Sequence, residues 1–291
     1  MPPALEPDSG VRIGPPALLL SGADFARLAR FIEGTCGIRM PPSKKTLLES
    51  RLRSRVFALG LKGFSAYCTH VLGATGGDER ARMVDLVTTN QTAFFRERQH
   101  FDVLTGSVLP DLAARCGAGV IRPLRIWSAG CATGEEPYTL IMVLLEALVH
   151  GRTPSFELLG TDLSRRVLQH AAEGVYRDTY VQSIPLELRR KYLLRNIADP
   201  ALVRVCGRLR RAVSLRALNL LEEDYGLGQP MDVIFCRNVF IYFDRATQRA
   251  ILHRFAENTI AGGYLFLGHS ETIHGLDVPF AQVAPTVYCR S

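Results

Sequence analysis

The spacing of apolar residues changes along this chain, and each change marks a structural boundary. From Ser21 onward, Phe25, Leu28, Ala29 and Ile32 recur at intervals of three and four. That spacing puts them on one face of a helix, and Gly37 is its stop signal. A second stripe of Leu48, Leu52, Val56 and Leu59 predicts another helix, capped near Ser43 and ended by Gly60. Helical patterns also cover 64–72 and 78–86. Residues 21–86 are thus expected to form a small all-helical domain. Residues 1–20, rich in Pro, Gly and Ala, are expected to be a disordered lead.

Beyond residue 87 the pattern shortens. Apolar runs at 124–127, 156–162, 214–218, 231–236, 264–268 and 281–289 read as strands. Helical patterns at 137–149, 163–172 and 245–260 separate several of them. Alternation of this kind builds an open, doubly wound parallel sheet, with ligands outside the carboxyl ends of its strands. The rhythm breaks at 174–213, where a helical stretch at 185–194 and short strands at 202–205 and 209–213 predict a small inserted β-subdomain. The catalytic unit would then span 87–291.

Composition narrows the class. Hydrophobic residues make up 47% of the 291, ordinary for a chain with one large core or two modest ones. No apolar run approaches the ~20 residues of a membrane span. The run at 15–20 is too short for a secretory leader, so a cytoplasmic protein without membrane insertion is expected. Seven scattered cysteines without a C-x-x-C pair read as reduced thiols. His269 and His274 lie close together but lack a third ligand, so no metal site is expected.

The net charge of +7 points to an acidic partner. The second helix carries Lys44, Lys45, Arg51, Arg53 and Arg55, with Glu49 its only acid. Lys44, Arg51 and Arg55 share a face, which is either solvated or a docking surface.

Candidate chemistry gathers at the strand ends. After the first strand, residues 128–134 are all small and end in Gly134, and Glu135-Glu136-Pro137 opens a helix. The loop is neither G-x-G-x-x-G nor a phosphate loop. A helix N-terminus favours anions, but two glutamates there would repel a pyrophosphate and welcome a cationic ligand. A plain acidic helix start is equally consistent with this stretch. Asp162 closes the second strand, where an acid can accept ribose hydroxyls or cap the next helix. Asn219-Leu220 and Arg237-Asn238 follow two further strands, and a polar cluster at 88–92 runs into Phe94-Phe95-Arg96.

Six segments, taken together, resemble the chemotaxis receptor methyltransferases. They are TTNQTAFFRE (88–97), RIWSAGCATGEEPYTL (125–140), LLGTDLS (158–164), ALNLLE (217–222), CRNVFIYFD (236–244) and LGHSE (267–271). They occur in family order across nearly the whole of 25–287, with Gly130-Cys131 a mild departure. The resemblance implies a Rossmann-like α/β methyltransferase sheet with a β-subdomain, preceded by an all-α domain. It implies S-adenosylmethionine as cofactor, no metal, and transfer of its methyl group to receptor glutamates.

By position, the family's cofactor contacts fall on Asn90, Thr92, Arg96, Glu135, Asp162, Asn219, Leu220, Arg237 and Asn238, and its catalytic residues on Arg96 and Tyr242. The resemblance further implies receptor docking through Lys44, Arg51 and Arg55. In some members the β-subdomain grips a receptor tail peptide. A monomer is expected, with no nucleic acid as partner. A nucleic-acid methyltransferase would need Asn-Pro-Pro-Tyr or Asp-Pro-Pro-Tyr where this chain has Asn238-Val239-Phe240-Ile241-Tyr242. The remaining alternative is a non-catalytic cofactor-binding adaptor, disfavoured by the presence of Arg96, Asp162 and Tyr242.

Overall fold

A computed structural model describes residues 18–74, 76–149 and 151–291, so the expected disordered lead lies almost wholly outside the described residues. Four helices come first: α1 (Gly22–Cys36), α2 (Lys45–Ala58), α3 (Phe64–Leu72) and α4 (Gly77–Val87). The Ser21 hydroxyl accepts the Asp24 N–H, and Gly37 takes the left-handed conformation that ends α1. Their apolar stripes meet in a core of Leu28, Ile32, Leu52, Val56 and Tyr67. The start of α2 differs from expectation. Ser43 sits within a 3₁₀ turn, Pro42–Lys44, and caps nothing.

Strands β1 (Leu124–Ala129) and β2 (Phe156–Asp162) lead into the insert. There β3 (Val175–Arg177), β4 (Leu193–Arg195) and β5 (Leu202–Val205) form a separate three-stranded sheet in the order β3-β5-β4. Strands β6 (Val213–Ala217), β7 (Met231–Cys236), β8 (Thr259–Leu267), β9 (Phe280–Ala284) and β10 (Val287–Arg290) complete the main sheet. Its order is β6-β2-β1-β7-β8-β10-β9. Neighbours pair in parallel as far as β8, and the β9–β10 hairpin adds an antiparallel edge.

Successive side chains of a strand point to opposite faces, and the two faces feed different cores. Ile126, Val233, Phe235 and Phe266 pack toward the helices at 99–116 and Glu135–Glu146. Trp127, Ile234, Cys236 and Leu265 pack toward the helix Arg245–Glu257. Burial on both faces is why these strands read as continuous apolar runs. Among the described residues no helix is long and apolar enough to cross a membrane.

Three further expectations are corrected. Residues 209–213 are not a strand: Gly207–Arg211 is a helical turn in which Leu209 alone is buried, and a single buried residue imposes no period. The run 281–289 is two strands, because Pro285-Thr286 turns the chain back. The central helix begins two residues before Pro137 and ends at Glu146.

Candidate functional site

A cleft opens at the carboxyl edge of β1, β2, β6 and β7, the edge at which open α/β sheets bind their ligands. One wall is made of strand ends: Gly130, Ala132, Asp162, Leu220 and Asn238. The other is made of Cys36, Ile38 and residues 88–92, with Arg96 at its end.

The sheet-side wall is built from backbone geometry. The N–H groups of Gly130 and Cys131 both donate to the Thr161 carbonyl (2.8 and 2.9 Å), turning the chain sharply after β1. Gly130 has φ +78°, and a Cβ there would lie 2.5 Å from Val239 Cγ2, so a side chain at this position would be strained and would have to displace Val239. Asp162 is buried; its Oδ2 accepts the Ala132 N–H (3.0 Å) and its Oδ1 the Ser164 N–H (2.9 Å). Burial pushes its pKa up, while the backbone N–H groups hold it down. Each carboxylate oxygen retains acceptor capacity beyond these bonds, enough for a pair of hydroxyls.

Four non-glycine residues at or beside the cleft hold positive φ: Phe95 (52°), Glu97 (55°), Ala132 (49°) and Asn238 (59°). Such conformations cost roughly 1–2 kcal/mol each and persist where the surroundings over-determine them. At Asn238 the determinant is Glu271. This buried carboxylate accepts the N–H groups of Gly268 (2.6 Å), Phe240 (2.7 Å), Asn238 (2.8 Å) and Ile241 (3.3 Å). Burial raises its pKa against the pull of those four donors. At 95–97 the determinant is Arg237. Its Nε donates to Glu136 Oε2 (2.7 Å), and its Nη1 to the Arg96 carbonyl (2.8 Å) and His100 Nδ1 (3.2 Å). The guanidinium also lies over the rings of Phe101 and Phe235.

The cleft brings together Asn90, Thr92, Arg96, Asp162, Asn219, Leu220, Arg237, Asn238 and Tyr242. It does not include Glu135, whose buried carboxylate accepts the Thr133 hydroxyl (2.7 Å). Glu136 lines the cleft instead, because adjacent helical residues project about 100° apart and only one of the two can face it. Arg237 reaches the cleft with its guanidinium already committed to Glu136 and Arg96. Glu97, His100 and Glu271 carry no signal of their own as site residues in the sequence, for their roles depend on partners far away in it.

Two arginines of the basic face of α2 have partners within the chain. Arg55 makes a bidentate pair with the buried Glu79 (2.9 and 2.7 Å), which Tyr67 also bonds. Arg51 donates to the carbonyls of residues 86–88. Lys44 donates from Nζ to the Arg39 carbonyl (2.9 Å), with Nζ 5.8 Å from the centre of the Tyr242 ring. His269 approaches His100 and Glu97, and not His274; Arg237 already supplies the positive charge there. All seven cysteines are free.

The chain belongs to the CheR methyltransferase family. Residues 90–289 match the family's S-adenosylmethionine-binding domain, and residues 23–88 match its all-alpha domain. A chemotaxis protein methyltransferase from Borreliella burgdorferi is 38% identical, covering 92% of this chain and 94% of the relative. Chemotaxis protein methyltransferase 2 of Pseudomonas aeruginosa is 39% identical over 91% of this chain and 92% of its own length. The Escherichia coli relative is 37% identical over 94% and 93%. The chain is accordingly an S-adenosylmethionine-dependent methyltransferase of the chemotaxis type.

Proposed function

We propose that the acceptor is a glutamate side-chain carboxylate on the cytoplasmic part of a chemotaxis receptor. The observation that carries this reading is the placement of Arg96 and Tyr242 around the cleft that Asp162 helps to line. S-adenosylmethionine supplies an electrophilic methyl on a sulfonium. The residues present suit such a group: Asp162 for the ribose hydroxyls, Asn219 and Leu220 beside the adenine, and Arg96 for the carboxylate. Arg96 Nη1 donates to the Gln91 carbonyl (3.1 Å), and its remaining N–H donors are available to a ligand.

A glutamate with a reference pKa near 4.3 arrives already ionised, so no general base is required. One of its oxygens bonds to the methyl carbon as the carbon–sulfur bond breaks, and S-adenosylhomocysteine leaves with the bonding pair. The protein's contribution is alignment and exclusion of water. Tyr242 and Arg96 orient the incoming carboxylate in line with the sulfonium, and Lys44 beside Tyr242 draws it in. Among the described residues, the insert's three-stranded sheet leaves one edge of β3 and of β4 unpaired, which supports strand addition by a receptor tail peptide there.

Tyr242→Phe tests the reading. It should leave S-adenosylhomocysteine affinity unchanged and slow single-turnover methyl transfer, the signature of a contact made in the transition state. An unaltered transfer rate would reduce Tyr242 to a packing residue. Radiolabelled cofactor should put base-labile label on receptor cytoplasmic fragments and none on DNA; the reverse result would favour a nucleic-acid acceptor.

A further inference from the structure

We infer that Arg51 is a positioning residue of the cofactor site, acting through the backbone of 86–89 to hold Asn90 and Thr92 against S-adenosylmethionine. The inference rests on the reading that Asn90 and Thr92 meet the cofactor. Every helix leaves its last carbonyls without intrahelical partners. The helix α4 ends with no left-handed glycine and no basic residue in its last turn, and at Thr88 the chain becomes extended (φ −64°, ψ 143°). It runs from there directly along the cleft.

The carbonyls at that end are nonetheless all satisfied. Val84 O accepts the Thr88 N–H (3.1 Å), and Asp85 O accepts the Thr88 hydroxyl (3.0 Å). The next three, on Leu86, Val87 and Thr88, converge on Arg51 Nη1 at 3.2, 2.6 and 3.1 Å. Arg51 Nη2 donates to Thr89 Oγ1 (3.1 Å), and Asn90 Nδ2 donates to Thr88 Oγ1 (3.2 Å). Thr88, Thr89 and Asn90 all line the cleft, so one side chain of α2 ties down the wall opposite Asp162.

The task suits arginine. A planar fork with five donors can serve two separate groups of acceptors, whereas an ammonium is a point charge. The cation also faces the negative end of the α4 dipole. Lysine would preserve the charge and lose the fork.

The test is calorimetric binding of S-adenosylhomocysteine together with steady-state methylation of receptor fragments. Arg51→Gln should weaken cofactor binding about tenfold and raise the KM for S-adenosylmethionine to match, a coupling of ordinary size for linked sites. The KM for receptor should not change. Arg51→Lys should resemble Arg51→Gln rather than the wild type. In combination with Asn90→Ala, Arg51→Gln should add less than its separate factor, because both act on the same contact.

Unchanged cofactor affinity with a raised receptor KM would overturn the proposal and make Arg51 a docking residue. If Asn90→Ala itself leaves affinity unchanged, the underlying assignment of the cofactor contacts fails, whatever Arg51 does. Should Arg51→Gln not fold, Thr89→Val removes only the Nη2 partner. It should still weaken cofactor binding, and no change would count against the inference.

Discussion

On the sheet side of the cleft, Gly130, Asp162, Asn219 and Asn238 each lie at a strand end or within two residues of one. The backbone that places Gly130, Asp162 and Asn238 is fixed by strand pairing on both sides, as in Ile126 opposite both Leu158 and Val233, and Asn219 follows the edge strand β6, paired with β2. On the helical side, residues 88–96 belong to no strand or α-helix. They are held by side chains from elsewhere: Arg51 from α2, Ser183 on the Phe94 carbonyl, Thr139 on the Phe95 N–H, and Arg237 on the Arg96 carbonyl. One wall inherits the rigidity of the sheet. The other is only as firm as a few long-range hydrogen bonds, so single side chains should control it.

Arg237 joins the two walls, and removing it gives the largest expected effect. Arg237→Met leaves the buried Glu136 carboxylate with Ser128 as its one remaining side-chain donor. Breaking a buried pair in this way costs about 3–5 kcal/mol. Urea unfolding should show the loss, together with weaker cofactor binding. A stable variant with normal affinity would mean that the walls are set independently.

Acid should loosen the same junction. His100 accepts from Arg237 at Nδ1 and pairs with Thr286 through Nε2, and burial beside that guanidinium lowers its pKa to about 4. The unfolded chain, with a value near 6.5, therefore binds more protons across this window. Stability falls as pH drops from about 6.5 toward 4, by on the order of 3 kcal/mol. The buried Asp162 and Glu271, with raised values, pull the other way. The His100 contribution is isolated by comparing the urea midpoint between pH 7.5 and 5.5 in the wild type and in His100→Gln. The wild type should lose more.

Within α2 the same contrast appears at smaller scale. Arg55→Ala removes the partner of the buried Glu79 and should cost about 2 kcal/mol. Arg53→Ala breaks a pair in which the arginine is exposed and Glu49 keeps the Leu20 N–H as a donor, and should cost less than about 1 kcal/mol. Equal thermal shifts for the two variants would contradict the internal role assigned to Arg55.

The sequence by itself determined much of the framework. Apolar periodicity placed all four N-terminal helices within a residue or two, and β2 and β7 to the residue. Strand-end position and the family motifs point to Asp162, Asn219 and Asn238 from the sequence alone. Such features are local: a strand buried on both faces must be apolar, and a turn with the positive φ of Gly130 favours glycine.

Tertiary structure alone decided which charges are free. Glu135 and Glu136 are indistinguishable in the sequence, and helix rotation sends only Glu136 into the cleft. Arg51 and Arg55 read as an open basic face until α4 brings Glu79 and the carbonyls of 86–88 against them. A hydrogen bond between residues 24 or 36 positions apart leaves no periodic trace in the sequence. Whether a charge docks a partner or holds a wall depends on what the fold sets beside it.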